Sequence, residues 1–158
     1  MQITPTFAFR GSPDRVASML VNPSFAQHVG AKIKADNVTV TDIDRGLTAV
    51  FTVVTPDAAR RIMGSMMSVT ETVTWSDPSP DGSRKGRLTM SVAGVPASID
   101  GPIDLSPTST GSDMVYDADF TVRIPLMGRK IEQMAHKYLA QMVETCEQVG
   151  NEWLDNNP

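Results

Sequence analysis

The chain has 158 residues, of which 41% are hydrophobic and 20% charged, and it carries a net charge of −4. That length suits one domain, expected over residues 1–158, and the composition excludes a disordered chain. The acidic balance argues against a protein that holds nucleic acid, and no apolar run approaches a bilayer span, so no membrane insertion is expected. The N-terminus, Met1-Gln2-Ile3-Thr4-Pro5, lacks the pattern of a secretion signal, which makes a cytoplasmic location the expectation. Cys146 is the single cysteine and has no disulfide partner within the chain, and two histidines do not make a Cys/His metal cluster.

Gln2–Phe9 reads as the first strand, with Ile3, Phe7 and Phe9 alternating against Thr4, Thr6 and Ala8. Ser12-Pro13-Asp14 starts a helix: Ser suits the N-cap, Pro the first turn, and Asp the positive end of the dipole. Asn22-Pro23 ends that helix and caps a shorter one carrying Phe25 and Val29, closed by Gly30. Val38, Val40 and Ile43 mark a strand, and Leu47, Ala49, Phe51 and Val53 mark the next. Asp44-Arg45-Gly46 forms the hairpin turn, with Gly46 expected to supply a positive φ. Pro56–Met66 breaks the alternation and reads as a loop with one helical turn, because Gly64 and Ser65 interrupt anything longer.

Met67–Trp75 resumes as a strand, with Met67, Val69, Glu71, Val73 and Trp75 on one face. Asp77–Ser83 is a turn region. Leu88, Met90 and Val92 mark one further strand, and Ala97, Ile99, Ile103 and Leu105 mark another, with Gly101-Pro102 a bulge or bend inside it. Met114, Tyr116, Ala118, Phe120, Val122 and Ile124 alternate as the last strand, which Pro125 ends. One amphipathic helix then runs from about Leu126 to Leu154. Its apolar stripe includes Ile131, Ala135, Leu139, Met142, Cys146, Val149 and Trp153. At 1.5 Å per residue it spans roughly 43 Å, enough to cross a small domain.

The fold class expected is α+β, in the order β-α-α-β6-α: a curved antiparallel sheet of about seven strands wrapped around the long helix. Short turns favour a meander, and strands apolar on one face give the sheet a single buried side. A sheet curled around one helix tends to leave a cavity. The element order, Trp75 ending the strand after the variable loop, and the Ile124-Pro125 junction into the helix through Trp153 resemble the START-like superfamily. That is the helix-grip fold of steroidogenic-acute-regulatory lipid-transfer domains, birch-pollen-allergen-like proteins and polyketide cyclases. Val69-Thr70-Glu71-Thr72-Val73-Thr74-Trp75 and the Pro-initiated helix are similar to an uncharacterised actinobacterial branch. The resemblance implies binding of a lipid or other hydrophobic small molecule, and fold alone does not establish it.

The candidate ligand wall is Met67, Val69, Met90, Tyr116, Phe120, Met134 and Tyr138, between the sheet and the N-terminal half of the helix. The ten methionines suit either ordinary core packing or a wall that adapts to apolar ligands. Glu71 falls on the apolar parity, where burial would raise its pKa and make it an acid, a base or a polar anchor, with the Tyr116 hydroxyl as partner. A bulge that turns Glu71 to water, or a pairing Arg, is the plainer reading and the one preferred at this level.

The other polar candidates read as structural. His28 and His136 read as surface residues, and Cys146 as an inert buried thiol. Asp117, Asp119, Asp42 and Asp44 read as solvated carboxylates rather than metal ligands. Arg60-Arg61, Arg84-Lys85 and Arg129-Lys130 read as solvated charges at loops or a helix start. Phosphate-loop, dinucleotide, nucleophile-elbow and H-E-x-x-H patterns are all missing, so no cofactor or metal is expected. The leading functional reading is a non-catalytic carrier or sensor of a lipid, isoprenoid or polyketide-like compound. One rival is a cyclase- or hydratase-like enzyme using Glu71 and Tyr116. The other is an interaction module with an apolar patch at Phe25 and Ile62–Met67.

Overall fold

A computed structural model describes residues 1–57 and 59–158, without the side chains of Ile62, Lys137 and Tyr138. The chain forms β1 (Gln2–Ile3), β2 (Thr6–Phe9), α1 (Pro13–Leu20), α2 (Pro23–Lys32), β3 (Asn37–Ile43), β4 (Gly46–Val54) and α3 (Arg60–Met63). It continues with β5 (Met66–Trp75), β6 (Arg84–Val92), β7 (Val95–Pro107), β8 (Ser112–Tyr116), β9 (Ala118–Val122) and α4 (Gly128–Asn156). The strands form one antiparallel sheet in the order β1-β9-β7-β6-β5-β4-β3, with β2 joined to it through β8. This is the helix-grip architecture.

The sheet has nine strands where about seven are expected, because the first and last predicted strands are each broken once. Pro5 has no N–H for a ladder, and it separates β1, paired with β9, from β2, paired with β8. At the matching point Asp117 interrupts the last strand and donates its backbone N–H to Pro102. β7 changes partner there, from β9 at Ala97–Asp100 to β8 at Ile103–Pro107. Gly101 stands at this crossing, where a Cβ would lie 2.0 Å from the Asp117 carbonyl oxygen.

Two local expectations are corrected. In the hairpin turn Arg45 carries the positive φ (+55°), whereas Gly46 opens β4, where a Cβ would meet the Val73 carbonyl at 2.1 Å. The long helix starts at Gly128 rather than Leu126, since Leu126 holds φ +64° and stands fully exposed.

The helix starts behave as their residues dictate. The Ser12 hydroxyl accepts the Arg15 N–H, and the Asn22 side chain accepts the Ser24 N–H at 2.8 Å, with Pro following each cap. α1 buries Val16, Ala17 and Met19 against Phe7, Phe9, Trp75, Leu105, Met114 and the end of α4. A smaller cluster, Ala26, Leu47, Ala49 and Phe51, lies beneath α2.

The last turns of α4 are fixed to β2, which pairs only with β8 and so has a free edge. Glu147 accepts the Ala8 N–H at 2.6 Å, and Asn151 accepts the Arg10 N–H at 2.7 Å while donating to the Ala8 carbonyl at 3.1 Å. These side chains satisfy the edge groups that a further strand would otherwise take. Arg15 also donates to the Leu154 carbonyl at 2.8 Å, and Lys32 pairs with Glu152 at 2.8 Å.

Candidate ligand-binding site

Strand register places one row of side chains across the concave face. Ala49, Glu71, Met90, Ile99 and Phe120 stand directly opposite one another on β4, β5, β6, β7 and β9. On one side of this row Leu47, Val73 and Leu88 are fully buried. On the other side Met67, Val69 and Val92 are only half-buried, and Met90, Ile99 and Phe120 in the row are likewise. Apart from Phe51 in the cluster beneath α2 and Val122 beside the start of α4, both buried, the row separates a packed half of the interior from a more open one.

The open half arises because α4 is fully seated only toward its C-terminus, with Leu139 and Val143 reaching the core part-buried. Val149, Gly150 and Leu154 are buried, but between Arg129 and Gln148 no described residue of the helix is. An apolar hollow of about 200 Å³ lies between helix and sheet, lined by Ile3, Ile99, Phe120, Ala135, Leu139 and Met142, with Met1 and His136 at its side. The start of α4 is held by Glu132, which accepts the Val122 N–H at 3.0 Å.

Glu71 points inward, between Ala49 and Met90 across the strands and between Val69 and Val73 along its own. Among the described residues none hydrogen-bonds or ion-pairs with it, so the plainer sequence reading, with Glu71 turned to water or paired to an Arg, does not hold. The residue keeps some contact with water, yet the desolvation of its carboxyl raises the pKa to about 7. Its charge is felt at two other groups. Burial first, then the Asp100 and Glu71 charges, push the Tyr116 hydroxyl above its ordinary range. Desolvation, then the Glu71 and Glu147 charges, push the Cys146 thiol up to about 11. Tyr116 is buried and donates its hydroxyl to the Leu88 carbonyl at 3.0 Å, so that hydroxyl is already used and is not a partner for Glu71.

Of the other expected wall residues, Met67, Val69, Met90 and Phe120 lie on the half-buried concave face, but only Phe120 lines the hollow. Met134 is exposed and does not line it either. The Tyr138 side chain lies outside the described residues. Sequence reading missed Ile3, Ile99, Leu139 and Met142 as lining. The parity of Ile99 and the helical spacing of Leu139 and Met142 carried that signal.

Residues 4–154 match the model of a family described as "Protein of unknown function (DUF2505)". The chain belongs to this family. A mycobacterial relative, Uncharacterized protein Rv0481c of Mycobacterium tuberculosis (strain H37Rv), is 31% identical over 93 residues, covering 58% of this chain and 53% of that protein. The match therefore spans about half the length of that relative, and it fits the actinobacterial branch.

Solved structures share the fold of this DUF2505 protein at low identity. TTHA0849 from Thermus thermophilus is similar with a TM-score of 0.64 at 16% identity, both chains covered fully at 100%. A START superfamily protein from Mycobacterium smegmatis gives 0.59 at 13%, covering 97% of this chain and 98% of that one. Norcoclaurine synthase from Thalictrum flavum, in complex with dopamine and hydroxybenzaldehyde, gives 0.62 at 12%, covering 100% and 88%.

Several other sequence readings of this DUF2505 protein need correction. His28 is half-buried beside Trp153, with ring centroids 5.6 Å apart, rather than a surface residue. Cys146 is exposed as a residue, while its sulfur is desolvated enough to keep the thiol protonated. Arg84 and Lys85 open β6 instead of lying in a loop. Arg84 pairs with Asp14 at 2.8 Å and lies over the Trp75 ring, and Lys85 pairs with Asp104 at 3.0 Å. Phe25 is buried edge-on against Trp153, so it offers no patch to a partner. Asp117 and Asp119, read as solvated, do stay exposed, Asp119 pairing with the N-terminal amine at 3.2 Å and Asp117 accepting from Gln2. Among the described residues no cluster of metal-ligating side chains forms, and no described helix is long and apolar enough to cross a membrane.

Proposed function

We propose that this DUF2505 protein binds a hydrophobic small molecule in the groove between the concave sheet and the N-terminal part of α4. The observation that carries this reading is the contrast along the helix. Its last turns are buried, while the apolar stripe from Ile131 to Cys146 is at most half-buried, with Leu139 and Val143 reaching the core beside a hollow bordered by Ile99 and Phe120. An apolar chain laid in that hollow would gain about 0.8 kcal/mol per buried methylene. The hollow, at about 200 Å³, is smaller than the roughly 300–1,000 Å³ of drug-sized sites, which favours a slender chain over a polycyclic ligand.

The test is titration with the slender, rod-shaped apolar fluorophore diphenylhexatriene. The wild type should bind one equivalent saturably. Met90→Trp, which fills the middle of the row, should weaken binding at least about tenfold with an unchanged circular dichroism spectrum. Undiminished binding by a folded Met90→Trp variant would contradict this placement.

A second reading, proton transfer by Glu71 in a cyclase-like reaction, is favoured by the inward carboxyl with its pKa of about 7 and by the likeness in fold to norcoclaurine synthase. It lacks its expected second group, because the Tyr116 hydroxyl is bonded to Leu88.

A further inference from the structure

The hollow is apolar apart from His136, and one further polar side chain points inward beyond its edge, in the same concave row as Ile99 and Phe120. Glu71 is flanked by Ala49 and Met90 across the strands and by Val69 and Val73 along β5. The titratable groups that feel its charge are Tyr116 on β8, whose hydroxyl is already bonded, and Cys146 on α4, whose thiol is neutral. His136 lies exposed at the far side of the hollow, beyond Ile99 and Phe120. No described basic side chain points at the carboxyl. A buried carboxylate without a donor is a cost that the fold retains, and an ionised carboxylate accepts hydrogen bonds without offering any.

We infer that the groove takes an amphiphile whose one polar group donates a hydrogen bond to Glu71, and that a protonated alkyl amine fits it best. This rests on the reading of the groove as a ligand site and adds the chemistry of the ligand's polar end. An ammonium group supplies both the missing donor and the missing countercharge, and such charge-assisted bonds are roughly twice as strong as neutral ones. A hydroxyl supplies the donor alone. A fatty-acid carboxylate brings a like charge beside Glu71, and the one described cation at the hollow, the Met1 amine at the far end, is already bonded to Asp119 and to the Phe120 carbonyl. Length agrees with a simple chain: from Phe120 to Glu71 is three strand spacings, roughly 14 Å, which a decyl chain nearly spans.

The experiment is isothermal titration of the intact chain at pH 8 with decylamine, decanol and decanoate, each below its micellar concentration. Wild type should bind decylamine at least about tenfold tighter than decanol, and decanoate weakest. Lowering the pH to 5.5, where Glu71 is protonated, should bring decylamine close to decanol. Glu71→Gln should do the same at pH 8, to within about threefold. The pH arm needs no variant, so it stands even where Glu71→Gln folds poorly. Equal binding of all three ligands by the wild type, or an amine preference that survives Glu71→Gln, would overturn the anchor while leaving the groove as a ligand site. Failure of all three to bind saturably would overturn the groove reading and the anchor together.

Discussion

Glu71 is a carboxyl between Val69 and Val73, and its ionisation works against the fold. In the unfolded chain it titrates near 4.5, and in the native groove near 7. Below pH 4.5 both states hold the proton. Between 4.5 and 7 the unfolded state loses it first, so native stability falls as pH rises through that window and levels off above it. The full shift corresponds to at most about 3 kcal/mol, and residual water at the groove reduces this. Wild-type protein should therefore lose about 1–3 kcal/mol between pH 5 and pH 8 by urea unfolding, relative to Glu71→Gln measured in parallel. The same slope in both proteins would place the carboxyl in water. The inward position of Glu71 was legible from strand parity alone. The fate of the Tyr116 hydroxyl was not, because its acceptor, Leu88, lies two strands away, past β7, and depends on pairings that no local pattern reveals.

At the scale of elements, α4 is one continuous helix with two kinds of attachment. Toward its C-terminus, Glu147, Asn151 and Leu154 bind the edge of β2 and the core, whereas Met142 borders the hollow. Leu154→Ala should cost about 2–5 kcal/mol, because it opens a cavity among packed side chains. Met142→Ala should cost less than about 1 kcal/mol, since that side chain already faces a gap. Comparable losses for the two would mean that the helix is seated along its whole length. The helix itself was readable from its apolar stripe, since a 3.6-residue period over this length has no competing interpretation. Its partial seating was not readable, because the same stripe would serve a helix in full contact with the sheet. The strand breaks at Pro5 and Asp117 were missed for different reasons. Pro5 interrupts an alternation whose parity continues undisturbed beyond it. Asp117 sits within the cleanest alternation of the chain, and only the partner switch of β7 shows the break.

Over the whole molecule, composition and element order were enough to place this DUF2505 protein in the helix-grip fold. They carried less about the groove, since a curved sheet and a helix define a volume without saying how much of it side chains fill. The methionines show this limit: Met19 and Met114 are core, Met90 faces the groove, and Met66, Met127 and Met134 are exposed. Each lies on a strand, helix or adjoining loop where the local pattern admits all three fates. The groove is best examined with methyl-labelled protein and decanol, by measuring which methionine, isoleucine and leucine methyl groups show intermolecular nuclear Overhauser effects. Contacts to Met90, Ile99, Leu139 and Met142 are expected, with Leu105 and Met114 silent in the packed half. Contacts confined to exposed Met66, Leu126 and Met127, with none at Met90 or Ile99, would contradict a ligand seated between sheet and helix.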